Sequence, residues 1–545
     1  MDFTEHHKNW LRARDYADPV RFALARGVLE EVRAGTSLNV ALRRHSKPEG
    51  GLLSKDYLVH AYRQLVDSGE WQPEASLLRR IRMKPVRTLS GVTTVTVLTK
   101  PYPCPGKCIF CPTDVRMPKS YLHDEPGAMR AEQHAFDPYD QTLARIQALE
   151  HVGHPTVKIE LLILGGTWSS YRRDYQAWFV ERCLDAMNRR DSASLAEAQM
   201  WNENAPHRNV GLCVETRPDH IDPEEIAWLR SLGVTRIQIG VQSLDDRILE
   251  VNRRGHDVQC TRDALRLLRA AGFKLLVHWM PNLLGATPES DFADGLRLWS
   301  DPDIRPDELK IYPCSLLANA ELYEYWLRGE YQPYADDELL ELLVALKPHI
   351  PSYTRVNRVV RDIPATNVVA GSKRSNLRED VQSELSRRGL ECRCIRCREV
   401  RGQQVDPDTL RLEDLSYPAG GAEEHFLQFL SPGGKLAGYL RLSMPGRASR
   451  ESRALTEVLP DLAGAALVRE VHVYGQSLQL DDDQAGAAQH IGLGTRLLRE
   501  AERIAKASAF RRMAIIASLG TRGYYQARGY RLGETYMIKD LNDAA

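Results

Sequence analysis

The feature that most constrains the fold of this 545-residue chain is an alternation of strand-like and helix-like runs between residues 81 and 350. Repeated strand–helix units predict a parallel sheet whose faces are covered by helices. Six units predict a partial (β/α)6 barrel, in which chemistry gathers at the C-terminal ends of the strands. The strand candidates are Thr93–Leu98, Lys158–Leu164, Val210–Val214, Arg236–Val241, Leu275–Trp279 and Glu308–Tyr312.

The chain is long enough for about two to four domains. Residues 1–80 are charged and carry apolar residues at helical spacing, which predicts a helical N-terminal extension before the barrel region of residues 81–350. Residues 351–415 are a basic linker that contains cysteines, and residues 416–545 return to strands followed by helices. The predicted class is therefore α/β with a C-terminal α+β domain.

Charge and cysteine usage narrow the class of protein. The 73 basic and 73 acidic residues balance, so a nucleic-acid surface would have to be a local patch. The ten cysteines are clustered, and we find neither a targeting segment nor a long apolar span. These features favour a reducing cytoplasm, metal-binding cysteines and no membrane partner.

Three cysteines follow the first predicted strand: Cys104, Cys108 and Cys111. Three thiolates from one loop can hold three irons of a [4Fe–4S] cube and leave the fourth iron open to a small molecule. A structural zinc site wants four ligands, and no fourth cysteine or histidine lies close by in the sequence. The spacing resembles that of the radical S-adenosylmethionine (radical SAM) enzymes, which implies that S-adenosylmethionine occupies the open iron.

Glycines and polar residues end the next predicted strands. They are Gly165, Gly166 and Thr167 after the second strand, Glu215-Thr216-Arg217 after the third and Gln242-Ser243 after the fourth. Such residues at strand ends predict a lined pocket, although a tight turn or helix capping would explain them equally. The radical SAM resemblance implies that the Gly-Gly segment lines the site of the methionine amino group, with Thr167 and Gln242 as further cofactor contacts.

A second site is predicted near the C-terminus, where a strand at Val468–Tyr474 precedes a glycine-containing loop and a helix running to about Ala505. Free amide N–H groups and the helix dipole favour an anion at such a helix N-terminus. The pattern resembles the acetyl-coenzyme A site of GNAT acetyltransferases. The loop residues that would bind the coenzyme are Gln489, His490, Ile491, Gly492, Leu493, Gly494 and Thr495.

The end of the chain fits the same GNAT domain. A buried strand, Met513–Ser518, precedes Tyr524 and Tyr525 and then Gly529-Tyr530. A tyrosine at this place can protonate the departing thiolate of coenzyme A, so Tyr524 and Tyr525 are catalytic candidates and Tyr525 also a coenzyme contact. Alternatively the pair packs the helix, and we expect one of the two to be core.

Three more cysteines, Cys392, Cys394 and Cys397, lie within six residues of one another in the basic linker. They could hold a tetrahedral zinc ion if a fourth ligand came from elsewhere, and Cys314 after the last barrel strand is the candidate. Two ligands with a bystander, or free thiols, are the alternatives.

Basic residues fall into local runs that suit a phosphate backbone and splayed bases. A charge run is usually a solvated face, so each run alone indicates little. The candidate tRNA contacts are Arg79, Arg80, Arg82, Lys84 and Arg87 before the first strand, and Arg355, Arg358, Arg361 and Arg378 in the linker.

The combination of a radical SAM barrel with a GNAT domain resembles the catalytic subunit of the Elongator complex, in a stand-alone prokaryotic form. The resemblance spans roughly residues 80–540 and includes Lys84–Gly91, Lys310-Ile311-Tyr312-Pro313 and Gly523-Tyr524-Tyr525. It implies a tRNA-modifying enzyme that forms 5-carboxymethyluridine at the wobble position of the anticodon. It implies acetyl-coenzyme A as a substrate and an external electron donor as a partner. Accessory subunits or a second copy of the chain are open possibilities.

The resemblance also implies a mechanism. A 5′-deoxyadenosyl radical removes hydrogen from the acetyl methyl group, the carbon radical adds to a flipped-out uracil, and thioester hydrolysis leaves the product. Lys158, just before the Gly-Gly strand, is a candidate catalytic contact to substrate or cofactor; otherwise it is a surface lysine.

Two rival functions of other classes remain. A protein lysine acetyltransferase would need an acidic base near the GNAT strands, for which Glu470 is the clear candidate. A non-catalytic tRNA-binding scaffold would have no need of the first three cysteines.

Overall fold

The computed structural model describes residues 16–48, 50–84, 88, 90–401, 405–446, 449–474 and 488–541, without the side chains of residues 488–491. It divides into two units. The first unit comprises the described residues of Met1–Thr93 together with Leu143–Val157, and the second comprises those of Thr94–Thr142 and Lys158–Ala545. Within these residues, no helix has both the length and the apolar character to cross a membrane.

The first unit is built mainly from four N-terminal helices, as the helical spacing predicted. The first helix begins after Asp18, whose carboxylate accepts the N–H groups of Val20 and Arg21 at the N-terminus. Apolar stripes on the helices meet in one core that includes Val28, Leu58 and Leu65, all fully buried. The helices are α1 (Pro19–Arg33), α2 (Leu38–Arg44), α3 (Lys55–Asp67) and α4 (Ala75–Ile81).

A half-barrel sheet dominates the second unit. All six predicted strands are confirmed, and within the described residues the sheet has the order β1-β2-β3-β4-β5-β6-β7. Strands β2 to β7 pair in parallel. The strands are β1 (Thr93–Leu98), β2 (Lys158–Leu164), β3 (Arg208–Thr216), β4 (Arg236–Gln242), β5 (Lys274–Trp279), β6 (Glu308–Ile311) and β7 (Arg355–Arg358).

Strand β7 corrects the prediction of six strands. Its sequence, Arg-Val-Asn-Arg, has one apolar residue, so it was read as part of a basic linker. It forms because Glu308 and Leu309 at the edge of β6 pair with Arg355 and Val356. A four-residue strand at a sheet edge depends on this pairing rather than on its own propensity.

Helices connect the strands of the half-barrel and continue beyond β7. Several carry the side-chain cap expected for their N-termini, such as Asp222, Asp257 and Thr287. They are α5 (Pro126–Gln133), α6 (Pro138–His151), α7 (Arg173–Asn188), α8 (Leu195–Asn202), α9 (Pro223–Ser231), α10 (Asp246–Val251), α11 (Val258–Ala270), α12 (Pro288–Ser300), α13 (Leu322–Leu327), α14 (Asp336–Leu346), α15 (Leu377–Arg387) and α16 (Ile395–Arg398).

A second, mixed sheet follows, in the order β13-β14-β12-β11-β10-β9-β8 for the described residues. Its neighbours are antiparallel except β11 and β12, which are parallel and are joined by a long helix. The elements are β8 (Arg411–Ala419), β9 (Ala422–Leu430), β10 (Leu436–Pro445), α17 (Arg450–Val458), β11 (Ala465–Val473), α18 (Ala488–Ala507), β12 (Arg512–Ile515), α19 (Arg522–Gln526), β13 (Arg531–Leu532) and β14 (Met537–Asp540).

A buried ion network joins the two sheets within the second unit. Asp307, at the start of β6, pairs with Arg469 of β11 at 2.7 Å and with Arg441 of β10 at 3.3 Å. Lys274 of β5 pairs with Glu470 of β11 at 2.6 Å. Asp307 and Lys274 stand at the N-terminal ends of β6 and β5. The second sheet therefore packs against the N-terminal ends of the half-barrel strands, whereas the cysteine loop follows the C-terminal end of β1.

Candidate active site

The three cysteines predicted to bind iron lie in the loop after β1, each half-buried. The loop is tied down where the N–H of Ile109 donates to the carbonyl of Asn252 at 3.3 Å. Burial, and then the charge of Cys108, raises the pKa of the Cys111 thiol to about 11. A metal centre that takes the thiolate offsets this cost, so the donor set fits an iron–sulfur cluster.

The Gly-Gly segment predicted to line the cofactor site lies beside this loop. The hydroxyl of Thr167 is 3.6 Å from the sulfur of Cys104. Gly165 has a φ of 141°, and a Cβ there would overlap the hydroxyl of Thr99. Gly166 has a φ of 90°. Glycine is the residue that this backbone accommodates without strain.

Gln242 lies at the C-terminal end of β4, as the glycines do after β2. Its φ is 75°, a left-handed conformation that is unusual for a residue with a side chain. Its Oε1 is buried and, among the described residues, has no hydrogen-bond partner. A buried acceptor of this kind calls for a donor from outside the chain, as a cofactor contact would supply.

Two buried arginines lie at this site: Arg217 is one of the strand-end residues predicted to line a pocket, without a role assigned to it, and Arg254 was not predicted. Arg254 follows α10 and its Nη1 lies 3.4 Å from the sulfur of Cys108. Arg217 follows β3 and is bound by Asp219. The polar end of β3 was a signal for Arg217, whereas nothing in the sequence pointed to Arg254.

A polar layer crosses the inner part of the half-barrel and was also missed. Gln238 of β4 hydrogen-bonds through Oε1 to Nε2 of His278 on β5 at 3.0 Å and to Lys310 on β6. Burial, and then nearby cations beginning with Lys310, holds the pKa of His278 well below its usual value. The imidazole is therefore neutral near pH 7. Alternating polar residues within otherwise apolar strands were the available signal.

Lys158 stands far from the cysteines. It begins β2 and pairs with Arg208 of β3, whereas the glycines follow the other end of the strand. Six residues of strand span roughly 20 Å. Lys158 therefore does not reach the glycines, and its role as a contact to substrate or cofactor stays a prediction. Burial, and then the charge of Arg208, lowers the pKa of Lys158.

The predicted coenzyme loop is helical. Helix α18 begins at Ala488, so Gln489, His490 and Ile491 lie in its first turn, and their side chains are outside the described part of the chain. Leu493 is buried in the core of the second sheet. The hydroxyl of Thr495 accepts from Nε of Arg528 at 3.1 Å. Gly492 and Gly494 are thus within the first two turns rather than before them.

The structure separates the two candidate tyrosines. Tyr525 is buried in the core of the second sheet, and burial raises its pKa well above the usual value. Tyr524 is half-buried, and its hydroxyl would lie 2.5 Å from a Cβ placed on Gly494. The guanidinium of Arg528 stacks on its ring at 3.5 Å. Tyr524 is therefore the tyrosine that adjoins Gly494 of α18.

The second cysteine cluster is compact. The sulfurs of Cys392, Cys394 and Cys397 all lie within 4.8 Å of one another. Tetrahedral zinc with Zn–S bonds of about 2.3 Å would set sulfurs about 3.8 Å apart. Shared hydrogen bonds with the other two thiols hold the pKa of Cys394 well below its usual value.

Cys314 does not join this cluster. It is buried in a separate apolar cluster with Ile109, Leu316 and Tyr331. Burial raises the pKa of its thiol. The prediction of Cys314 as fourth ligand is therefore wrong, because the loop after β6 turns back toward the first cysteine loop.

Some basic side chains of the first unit form hydrogen bonds within the protein, and others are exposed to solvent. Arg80 donates to the carbonyls of Val32 and Thr36, and Arg82 donates to the carbonyl of Gly153 at 2.7 Å. Arg79 and Lys84 are exposed, and Arg87 lies outside the described residues.

In the second unit most of the predicted tRNA contacts have partners inside the protein. Arg355 pairs with Glu399 at 2.9 Å and Arg361 with Glu125 at 3.0 Å. Arg378 donates to the carbonyl of Val356 at 3.0 Å, beside the second cysteine cluster. Arg358 is exposed and pairs with Asp362.

Comparison with protein-family models agrees with this geometry. The model of the Radical SAM superfamily matches residues 102–294, and the model of the Radical SAM C-terminal domain matches residues 306–387. The cysteine loop, the glycines after β2 and the half-barrel thus define a radical SAM protein.

Relatives narrow the family. A tRNA uridine(34) acetyltransferase of Methanocaldococcus infernus is 44% identical over 85% of this chain and 88% of its own length. Elongator complex protein 3 of Homo sapiens is 35% identical over 85% of this chain and 87% of its own length. The solved structure of M. infernus Elp3 lacking residues 1–46 is 40% identical, covers 83% of this chain and 99% of that chain, and superposes with a TM-score of 0.72. The chain therefore belongs to the family of tRNA uridine(34) acetyltransferases and Elongator complex protein 3.

Proposed function

We propose that this protein modifies the wobble uridine of tRNA anticodons, using acetyl-coenzyme A to form 5-carboxymethyluridine by radical SAM chemistry. The observation that carries the proposal is the joining of two sites in one compact unit: a cysteine loop suited to an open iron–sulfur cluster, and a mixed sheet with helix α18. Relatives that share most of the chain are named for uridine 34 of tRNA, which supports the substrate.

Each part of the site has a task in this reaction. A cluster and S-adenosylmethionine bound at Cys104, Cys108 and Cys111 would supply the chemistry that removes hydrogen from the acetyl methyl group. The backbone at Gly165 and the orphan acceptor of Gln242 would hold the methionine moiety. The first turn of α18 offers free N–H groups to the phosphates of the coenzyme. The hydroxyl of Tyr524 can donate a proton to the departing thiolate.

Glu470, the base predicted for the rival lysine acetyltransferase, is bound by three other side chains. Glu470 accepts from Lys274 at 2.6 Å, from the hydroxyl of Tyr439 at 2.7 Å and from Arg441 at 3.0 Å. Burial alone would raise the pKa of Glu470, but Lys274 and Arg441 outweigh it and hold the pKa far below the usual value. A carboxylate so committed does not take a proton from a lysine near neutral pH.

The second cysteine cluster supports a zinc ion as a further component. Cys392, Cys394 and Cys397 supply three thiolates, and a fourth position can be taken by solvent. Arg378, whose pKa burial lowers to about 10, lies where its charge balances the thiolates. We place tRNA contact on the basic residues of both units, and an external electron donor completes the set of partners.

The test replaces the three cysteines of the first loop together by alanine. We expect tRNA binding to persist while 5-carboxymethyluridine disappears from the nucleosides of reacted tRNA. Tyr524→Phe should slow tRNA-dependent hydrolysis of the thioester, whereas Tyr525→Phe should mainly lower stability. Undiminished product from the alanine variant would refute the proposal, and a wild-type protein that binds tRNA but forms no product would favour the scaffold.

A further inference from the structure

Arg217 is held rigidly beside the first cysteine loop. Its side chain is 6% exposed. Nε and Nη2 each donate to a carboxylate oxygen of Asp219 at 2.8 Å. Nη2 also donates to the carbonyl of Arg254 at 2.8 Å. Three bonds therefore fix the plane of the guanidinium and leave its third nitrogen pointing in one direction.

That third nitrogen faces the cysteines without a partner. Nη1 is buried and makes no hydrogen bond within the part of the chain that the structure describes. A Cβ on Gly106 would collide with it and would lie 3.5 Å from the sulfur of Cys104. Leaving a buried donor unsatisfied destabilises the folded protein. A fold that holds this donor so firmly implies an acceptor that arrives from outside the chain.

Arg254 approaches the same loop from another element. It is buried, its Nη1 lies 3.4 Å from the sulfur of Cys108, and its Nη2 donates to the carbonyl of Gly240. Its Nε is also buried without a partner among the described residues. Two guanidinium groups, one after β3 and one after α10, thus bracket the segment from Cys104 to Cys108.

The positive charge of these arginines also suits an acceptor group bound by cysteine thiolates. Burial opposes the positive charge of Arg217, but Asp219 and then the thiolates of Cys108 and Cys104 outweigh burial and raise its pKa. Two guanidinium groups, a type that carries positive charge in proteins, therefore lie next to the cysteine loop. Hydrogen bonds to the sulfurs, net charge and solvent exposure are what set the potential of an iron–sulfur cluster.

We propose that Arg217 and Arg254 are positioning residues that donate hydrogen bonds to the iron–sulfur group on Cys104, Cys108 and Cys111 and raise its one-electron reduction potential. The proposal rests on the proposed function only for the presence of that cluster. On reduction the cluster gains one electron from an external reductant and no proton, so its negative charge grows by one. Buried cations stabilise the more negative form more strongly, because the local dielectric is low.

The chain offers a matched control and a variant of opposite sign. Arg253 is the neighbour of Arg254 but is 51% exposed and pairs with Glu321 at 2.8 Å. Arg253→Gln should therefore leave the potential unchanged. Asp219→Asn removes the counter-charge of Arg217, so it should raise the potential, whereas Arg217→Gln and Arg254→Gln should lower it.

The experiment reconstitutes the full-length protein anaerobically with iron and sulfide, without S-adenosylmethionine. Bound iron and sulfide are quantified, and the cluster is titrated with dithionite while electron paramagnetic resonance follows its reduction. Each glutamine variant of Arg217 and Arg254 should carry as much iron as the wild type. Each should be reduced at least tenfold less favourably, equivalent to a shift of about 59 mV for one electron. Arg217→Lys keeps the charge and should recover most of the shift.

The outcomes separate this inference from the proposed function. A wild-type protein that binds no iron would defeat both. Iron-replete glutamine variants with an unchanged potential would overturn the role of the arginines alone. Loss of iron from both glutamine variants would assign these residues to building the loop, and would also overturn the inference.

Discussion

Replacing Asp307 by asparagine tests how strongly the buried ion network couples the two sheets. Oδ1 of Asp307 accepts from Arg469 Nη2 at 2.7 Å, and Oδ2 accepts from Arg469 Nη1 at 2.8 Å and from the N–H of Leu275 at 2.9 Å. Asparagine keeps the shape but turns one acceptor into a donor that faces a guanidinium. It also removes the negative charge with which both Arg469 and Arg441 pair.

The magnitude follows from burial. Asp307 and Arg469 are both 0% exposed and Arg441 is 1% exposed, so water cannot replace the lost charge. Removing one partner of a buried ion pair costs about 3–5 kcal/mol. Because Arg469 keeps Glu424 at 2.8 Å and Arg441 keeps Glu470 at 3.0 Å, we expect the lower part of that range. Glu500→Gln breaks the exposed pair with Arg503 in the same unit and should cost less than about 1 kcal/mol.

The assay is equilibrium unfolding in urea at neutral pH, followed by tryptophan fluorescence and analysed by linear extrapolation. The free energy of unfolding of Asp307→Asn should fall by about 3–4 kcal/mol, and that of Glu500→Gln should barely change. An Asp307→Asn variant within about 1 kcal/mol of the wild type would refute the reasoning that this network is fully desolvated.

The same network makes a prediction about acid. Burial alone would raise the pKa of Asp307, but Arg469 and Arg441 outweigh it and hold the pKa well below the usual value. A depressed pKa in the folded state contributes stability above the unfolded pKa of about 3.9, and this contribution is lost as the pH falls through the folded value. The stability gap between wild type and Asp307→Asn should therefore narrow below about pH 4. A gap that stays constant would contradict the assignment.

Three further predictions concern the sites. Gly165→Ala should weaken S-adenosylmethionine binding at least about tenfold (about 1.4 kcal/mol), because the new methyl group overlaps a threonine hydroxyl; anaerobic calorimetry measures this, and unchanged affinity would contradict it. Gly494→Ala should weaken acetyl-coenzyme A binding by a similar factor, since its Cβ would lie 2.5 Å from the hydroxyl of Tyr524. The control is Gly523→Ala, whose Cβ meets no described atom within 4 Å and which should bind the coenzyme normally. Elemental analysis should find about one zinc ion per wild-type chain. Cys394→Ser should lose this zinc, whereas Cys314→Ser should retain it; equal zinc in both variants would argue against the site.

The predictions from sequence succeeded where a local pattern decides the structure. The six strands were found because apolar runs of strand length alternate with helical runs, a pattern that depends on burial of both faces of the sheet. Strand β7 was missed because its four residues, Arg355–Arg358, carry a single apolar residue and form only against β6. Its existence depends on a neighbour that lies far away in the sequence.

The sites divide in the same way. Spacing alone identified Cys104, Cys108 and Cys111, because three ligands on one short loop need no distant partner. Cys314 was misassigned because a fourth ligand has to arrive from elsewhere in the fold, and spacing does not say which way a loop turns. Arg254 was missed because its place beside the first cysteine loop comes only from the packing of α10.

The sequence by itself determined the order of strands and helices, the cysteine loop predicted to bind iron, and the family resemblance. Each depends on residues that are close neighbours along the chain. Tertiary structure alone decided which tyrosine adjoins helix α18, that Lys158 lies at the opposite end of β2 from the glycines, and that Glu470 is bound in an ion network. These outcomes depend on contacts between residues far apart in sequence, and such contacts follow from how whole elements pack rather than from any local pattern.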